Sequence, residues 1–314
     1  MFELGGRRVW VAGHRGMVGS AIWRALATCG DVELVGWSSS ELDLTDRAAT
    51  LDAAAGARPD VVVLAAARVG GIVANRDAPV EFLTDNVRIQ GNVMEAAAAA
   101  GVDRLLFLGS SCIYPRDAPQ PMTPDLLMTG PLEATNDAYA VAKIAGITLT
   151  QAHRRQHGRA WISCLPTNLY GPGDHYDLET SHVLPALIRR FHEATVDGAA
   201  QVTLWGTGTP RREFLHVDDL ASACVRLLEV YGDPAPINIG TGQDLTIAAL
   251  ARLIADTVGY QGDIAWDTSR PDGTPRKLLD VTPMRALGWE PATTLADGIR
   301  ATWEEYAASG PLSR

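Results

Sequence analysis

The chain opens on a short apolar run, Val9-Trp-Val-Ala12, that gives way to Gly13-His-Arg-Gly16-Met-Val-Gly19 and then to apolar positions Ala21, Ile22 and Leu26 at helical spacing. This order predicts a strand, a glycine turn and a helix. A second strand follows at Val32–Trp37 and ends in Ser38-Ser39-Ser40. Asp60-Val-Val-Val-Leu-Ala-Ala66 is a continuous apolar run, the mark of a strand covered on both faces in a parallel sheet. A long helix over about 80 to 100, a strand at Arg104–Gly109, a helix over 139 to 157 and a strand at Ala160–Leu165 continue the alternation. The expected fold is α/β, a Rossmann-type doubly wound parallel sheet. After Tyr170-Gly-Pro172 the pattern loosens into Gly-, Pro- and Asp-containing loops, and the chain returns to the sheet only at Ile237-Asn-Ile-Gly240. Residues 1–170 plus about 213–240 are therefore expected to form a dinucleotide-binding domain. About 171–212 and 241–314 are expected to form a smaller substrate lobe.

Composition narrows the possible partners. A formal charge of −10, with no long Lys/Arg block, speaks against nucleic acid or an anionic membrane as partner. Any anionic ligand must then be held by local arginines. Cys29, Cys112, Cys164 and Cys224 are widely spaced and form no C-x-x-C pair, so neither a metal site nor a disulfide framework is expected. The start lacks the apolar run of a signal peptide and no later segment reaches membrane-spanning length, which makes the cytoplasm the expected compartment.

The glycine turn between strand and helix suits close approach of the backbone to a pyrophosphate seated on the helix N-terminus. The acid that usually follows the second strand in NAD enzymes is not found there, where Trp37 and the three serines stand. Arg15 and the serines are instead expected to receive a 2′-phosphate, favouring NADPH. Asp43 is placed to meet the adenine edge, or is simply a turn aspartate.

The segment from Gly109-Ser-Ser-Cys-Ile-Tyr-Pro115 to Tyr139-Ala-Val-Ala-Lys143 reads as a redox site. On a helix, Tyr139 and Lys143 share a face, and a nearby ammonium is expected to draw the phenol below its usual value of roughly 10. Ser110 is positioned to hydrogen-bond the same substrate oxygen. Of the 27 basic residues only Lys143 and Lys277 are lysines, so generic positive charge here is supplied by arginine and a lysine is a chemical choice. With 7 tyrosines in 314 residues, a chance pair at this spacing is expected far less than once.

Several longer segments carry a resemblance over nearly the whole chain: Gly13–Gly19, Val69-Gly-Gly-Ile-Val-Ala-Asn75, Gly109–Pro115, Pro166-Thr-Asn-Leu-Tyr-Gly171, Ser181-His-Val183, Arg211-Arg-Glu-Phe-Leu-His-Val-Asp-Asp219 and Pro271–Asp280. They resemble the extended short-chain dehydrogenase/reductases that act on nucleotide-linked sugars, specifically an epimerase-reductase branch. The resemblance implies NADP(H) as cofactor, with Gly13, Arg15, Gly16, Met17, Gly19, Asp43, Leu44, Lys143, Pro166, Asn168, Leu169 and His182 around it. It implies that Ser110, Tyr139 and Lys143 reduce a ketone while Cys112 and His182 act as an acid/base pair. Asn168, Arg190, Trp205, Arg212 and Lys277 would contact a nucleotide-diphosphate sugar, and helices 80–100 and 139–157 would pair in a homodimer.

The implied reaction is NADPH-dependent epimerisation and 4-keto reduction of GDP-4-keto-6-deoxy-D-mannose to GDP-L-fucose. Two alternatives stand beside it: a 4-keto reductase of another nucleotide-linked 4-keto-6-deoxyhexose, for example a dTDP sugar, without epimerisation; and a non-catalytic nucleotide sensor, which would not need Ser110, Tyr139 and Lys143.

Overall fold

The computed structural model describes residues 1–270 and 272–308; Pro271 of the last resembling segment and the end of the expected lobe lie outside them. The first half runs β1 (Arg8–Ala12), α1 (Met17–Ala27), β2 (Glu33–Val35), α2 (Arg47–Ala57), β3 (Val61–Leu64), α3 (Ile72–Asp77), α4 (Pro79–Ala99), β4 (Arg104–Leu108), α5 (Asp137–His157) and β5 (Ile162–Pro166). It continues through β6 (Asn168–Tyr170), α6 (Val183–Val196), β7 (Gln201–Trp205), β8 (Arg211–Arg212), β9 (Phe214–His216), α7 (Val217–Val230) and β10 (Ile237–Ile239). The C-terminal part adds β11 (Leu245–Thr246), α8 (Ile247–Val258), β12 (Asp263–Asp267), β13 (Arg276–Lys277), α9 (Thr282–Ala286) and α10 (Leu295–Ala308).

Six of these strands make one parallel sheet in the order β10-β5-β4-β3-β1-β2, so the expected α/β fold is the observed one, including the return of the chain at Ile237. The second strand is shorter than its apolar run, ending at Val35, because the chain turns at Ser38. All of β3 and β4 is buried, as expected of strands covered on both faces. One face is closed by a core of α1 and α7 side chains such as Ile22, Leu26, Leu220 and Leu227, the other by Val93, Met94, Phe107 and Ile147 around α4 and α5. A third core, with Leu187, Phe191, Leu250, Ile254 and Ile299, belongs to the helices and small sheets beyond the carboxyl edge of the main sheet.

Strand order reverses direction between β1 and β3, and the carboxyl edge at such a reversal is where ligands bind in open α/β sheets. Gly13, at φ 88°, makes the turn out of β1, and a Cβ there would lie 2.7 Å from the Ala66 backbone. At Gly19 a Cβ would lie 2.0 Å from the Gly13 carbonyl oxygen, so only glycine lets α1 start this close to the strand.

Arg104, at the opposite edge of β4, is buried, and among the described residues no carboxylate forms an ion pair with it. Its guanidinium instead donates to the carbonyls of Leu227, Leu228, Tyr231 and Ala160, closing the C-terminal end of α7 onto the sheet.

Candidate active site

A cavity of about 480 Å³ lies between the carboxyl edge of the sheet and the C-terminal helices and small sheets. Ser110, Cys112, Tyr139, Lys143 and His182 all line it, as do Met17, Pro166, Asn168, Leu169, Arg190, Trp205, Arg212 and Lys277. Gly13, Arg15, Gly16, Gly19, Asp43 and Leu44 do not line it; they belong to the glycine turn and the loop after β2.

Immediately after β4 the chain makes a short 3-10 turn, Ser111–Ile113. Ser110 Oγ accepts the Cys112 backbone N–H at 3.2 Å, which fixes both side chains in one turn and leaves the serine hydroxyl proton to donate elsewhere. Tyr139 and Lys143 do share a face of α5. Lys143 Nζ donates to the Leu108 carbonyl at 2.8 Å and lies 5.8 Å from the centre of the Tyr139 ring, whose edge meets Phe82. The expected lowering of the phenol is corrected here: burial pushes Tyr139 well above its usual range, the Cys112 sulfur adds to this, and only the Ser110 hydroxyl opposes it. Lys143 lies alongside the ring rather than at the hydroxyl, and the same burial lowers it to about 8.

Cys112 and His182 approach the cavity from different parts of the fold. His182 is the residue before α6 and keeps an exposed edge toward the cleft; the walls around it lower its affinity for a proton, with smaller contributions from His175 and Lys277. Lys277 Nζ donates to the Cys112 sulfur at 3.9 Å. Its neighbour across the strand pair is Arg212, since β13 and β8 run parallel with Lys277 opposite Arg212 and Arg276 opposite Arg211. Successive side chains of a strand point to opposite sides. Arg211 and Arg276 both bond Asp244, while Arg212 and Lys277 line the cavity. Burial disfavours the charge on Arg212, and Cys112, Glu133 and Asp272 offset part of that.

Trp205 ends β7 with 51% of its surface exposed, flanked by the guanidinium groups of Arg190 at 6.0 Å and Arg270 at 5.0 Å. Such an indole suits stacking of a nucleobase. Asn168 is tethered by its amide to the Glu213 carbonyl at 2.8 Å.

Glu213 escaped the sequence reading although it lies inside a resembling segment. Its fully buried carboxylate accepts the backbone N–H groups of Thr241, Gly242 and Leu279. Glu133, which lines the cavity and accepts the Thr274 hydroxyl, was also missed. A lone glutamate has no spacing signal; only the fold brings its partners together.

The loop after β2 also departs from expectation. An acid does stand there: Glu41 turns back to accept the Ser38 N–H at 2.7 Å and its hydroxyl at 2.6 Å. Ser38, bonded also to Ser40, is thus committed within the turn, and Arg15 is exposed within electrostatic reach of Glu41. Asp43 caps Thr45 through the Thr45 N–H and hydroxyl, and the Leu44 carbonyl receives the Asn92 amide.

The glycine turn fits a dinucleotide. No side chain caps the N-terminus of α1 and no acid stands in its first turn, so its backbone N–H groups are left to bind an anion. Among the described residues no cluster of His, Cys, Asp and Glu is built to hold a metal ion, and no helix is long and apolar enough to cross a membrane.

A parallel sheet with a glycine turn at its reversal point and a Ser-Tyr-Lys constellation at its carboxyl edge defines a nucleotide-dependent oxidoreductase of the short-chain type. The sequence pattern of the NAD dependent epimerase/dehydratase family matches residues 9–240, and the chain belongs to that family. Within it, the chain is 54% identical to GDP-L-fucose synthase 1 of Arabidopsis thaliana, covering 95% of this chain and 93% of that protein. It is 52% identical to the GDP-L-fucose synthase of Escherichia coli (strain K12), covering 96% of each. The crystal structure of a GDP-L-fucose synthetase from Naegleria fowleri bound to NADP superposes with a TM-score of 0.89 at 26% identity, covering 97% of this chain and 95% of that one.

Proposed function

We propose that the protein converts GDP-4-keto-6-deoxy-D-mannose to GDP-L-fucose by epimerisation at carbons 3 and 5 followed by reduction at carbon 4, with NADP(H) as cofactor. One observation carries this reading. Cys112, from the turn after β4, and His182, from the start of α6, both line the cavity that Ser110, Tyr139 and Lys143 also line. A plain ketone reductase needs only the last three.

The cofactor, when bound, supplies the hydride that carbon 4 receives. Gly13, Gly16 and the first turn of α1 would hold its pyrophosphate, and Met17, Pro166 and Leu169 would line the rest of its site. Tyr139 gives its proton to the ketone oxygen, and burial keeps that proton in place until the oxygen becomes basic enough to take it. Ser110 donates a hydrogen bond to the same oxygen. Before reduction, removal of a proton from carbon 3 or 5 spreads charge onto this oxygen, so Ser110 and Tyr139 stabilise the enolate as well. Inversion requires one proton to leave and another to arrive on the opposite face, which Cys112 and His182 share. Arg190, Arg212 and Trp205 hold the nucleotide diphosphate, with Asn168 near its phosphates.

We further propose that 1–170 plus about 213–240 form the cofactor domain and that about 171–212 and 241–314 form the substrate lobe. The enzyme works in the cytoplasm as a homodimer paired through α4 and α5, where Val80, Val87 and Val141 are exposed. A monomer by light scattering at micromolar concentration would remove the dimer.

The deciding experiment omits NADPH, incubates the keto sugar in deuterated water and follows carbons 3 and 5 by mass and NMR. Wild-type protein should exchange both hydrogens, and Cys112→Ser and His182→Gln should each suppress exchange or inversion; with NADPH restored, both variants should still allow some direct reduction of the unepimerised ketone. Efficient reduction with no deuterium uptake by the wild type would identify a simple reductase.

A further inference from the structure

We propose that Lys277 is a positioning residue for epimerisation: its ammonium holds and stabilises the thiolate that Cys112 carries on one side of each inversion. This rests on the epimerase reading above. The two residues are 165 positions apart in sequence, yet Lys277 Nζ donates to the Cys112 sulfur at 3.9 Å. The contact is built rather than incidental. Asp244 clamps Arg211 of β8 and Arg276 of β13, which fixes the register that aims Lys277 and Arg212 together at the cavity.

Composition supplies a second, independent argument. A chain that uses arginine for 25 of its 27 basic positions spends its two lysines, Lys143 and Lys277, on the walls of this one cavity. A compact ammonium can approach a single sulfur end-on, whereas a planar fork is shaped for two oxygens.

Either direction of proton transfer requires the anion. When Cys112 is the donor, its S–H bond breaks, the proton goes to carbon and the sulfur keeps the electron pair. When Cys112 is the acceptor, the sulfur starts with that pair and forms S–H with the proton leaving carbon. Lys277 therefore lowers the cost of inversion whichever partner begins. The sulfur is contacted by Lys277 of β13 and lies within electrostatic reach of Tyr139 of α5 and Arg212 of β8, while Ser110 on its own turn accepts the Cys112 backbone N–H; Glu133 and Asp272 face Arg212, and His182 stands within electrostatic reach of Lys277. Arg212 acts on the sulfur through charge, ahead of its interactions with Glu133 and Asp272, whereas among the described residues Lys277 is the cation that hydrogen-bonds the sulfur.

The test is peptide-resolved alkylation by iodoacetamide at neutral pH on the ligand-free protein, because the thiolate is the form that reacts. Buried Cys164 and Cys224 serve as internal controls. Lys277→Met should slow Cys112 modification about tenfold, the size of one charge-assisted hydrogen bond, and Lys277→Arg should restore at least part of the rate. In the deuterium assay Lys277→Met should lower the maximal exchange rate about tenfold, with KM for the keto sugar within about threefold. Unchanged NADPH affinity reports a folded protein, and Lys277→Gln replaces the Met variant if that one does not fold. Unchanged alkylation, or a rise in KM with the exchange rate intact, overturns the proposal and makes Lys277 a simple contact to the substrate. Absence of deuterium uptake by the wild type would instead overturn the epimerase reading, while slowed alkylation in Lys277→Met would still report the contact; normal exchange by Cys112→Ser would take the thiol out of the inversion and overturn the proposal.

Discussion

Lys143 Nζ and the Leu108 carbonyl oxygen are joined by a 2.8 Å hydrogen bond that ties the Tyr139-bearing face of α5 to the last residue of β4, two positions before Ser110. The bond is buried, and burial lowers the lysine from its ordinary 10.5 to about 8.

A pH dependence follows from that shift. Between about pH 8 and 10.5 the unfolded chain holds a proton on this lysine that the folded protein does not, so the stability of the ligand-free protein should rise with pH across that window. Lys143→Met should flatten this rise in urea titrations. Reduction should run the other way and decline as pH rises through about 8, where the ammonium is lost. A stability curve identical in wild type and Lys143→Met would show that the buried amine is not the group responsible.

Tyr139→Phe should cut single-turnover ketone reduction on the order of 10²- to 10⁴-fold, the usual contribution of a positioned proton donor. The ring and its edge contact with Phe82 remain, so NADPH affinity should stay within about twofold. Near-wild-type reduction would transfer the donor's role to Ser110.

Arg15 should set the preference for NADPH over NADH. It is the basic residue of the glycine turn, and the carboxylate of Glu41 stands close enough to weaken its pull on a phosphate. By fluorescence titration Arg15→Ala should weaken NADPH binding about tenfold with little change for NADH, and Glu41→Gln should tighten NADPH. Equal loss for both cofactors would remove Arg15 from the 2′-phosphate.

Arg104→Met should destabilise the protein by about 2–4 kcal/mol, because it removes the donors that satisfy four buried or partly buried carbonyls. The residue lies at the edge of the sheet away from the cavity, so cofactor affinity should be unchanged. A urea midpoint indistinguishable from wild type would mean that water replaces those hydrogen bonds without cost.

What was legible in the sequence was local. The turn from Gly13 to Gly19, the apolar runs of β3 and β4 and the four-residue step from Tyr139 to Lys143 each follow from spacing along a few residues. Desolvation does not: nothing in the neighbourhood of Tyr139 announces that its hydroxyl is shut away from water, and so the expected direction of its shift was wrong. The loop after β2 failed for a different reason. Glu41 lies several positions beyond the end of the strand, and only the turn at Ser38 folds its carboxylate back. Lys277 beside Cys112 depends on strand register between β8 and β13, a relation that two-residue strands leave no periodic trace of.

The carboxylate of Glu213 has a consequence for the order in which the protein can be made. Its donors come from Thr241, Gly242 and finally Leu279, whereas the glycine turn, Ser110, Tyr139 and Lys143 all precede it. A nascent chain emerging from the ribosome therefore carries Ser110, Tyr139 and Lys143 long before the carboxylate of Glu213 has its last partner, and a chain ended upstream of Leu279 leaves that buried carboxylate one backbone hydrogen bond short.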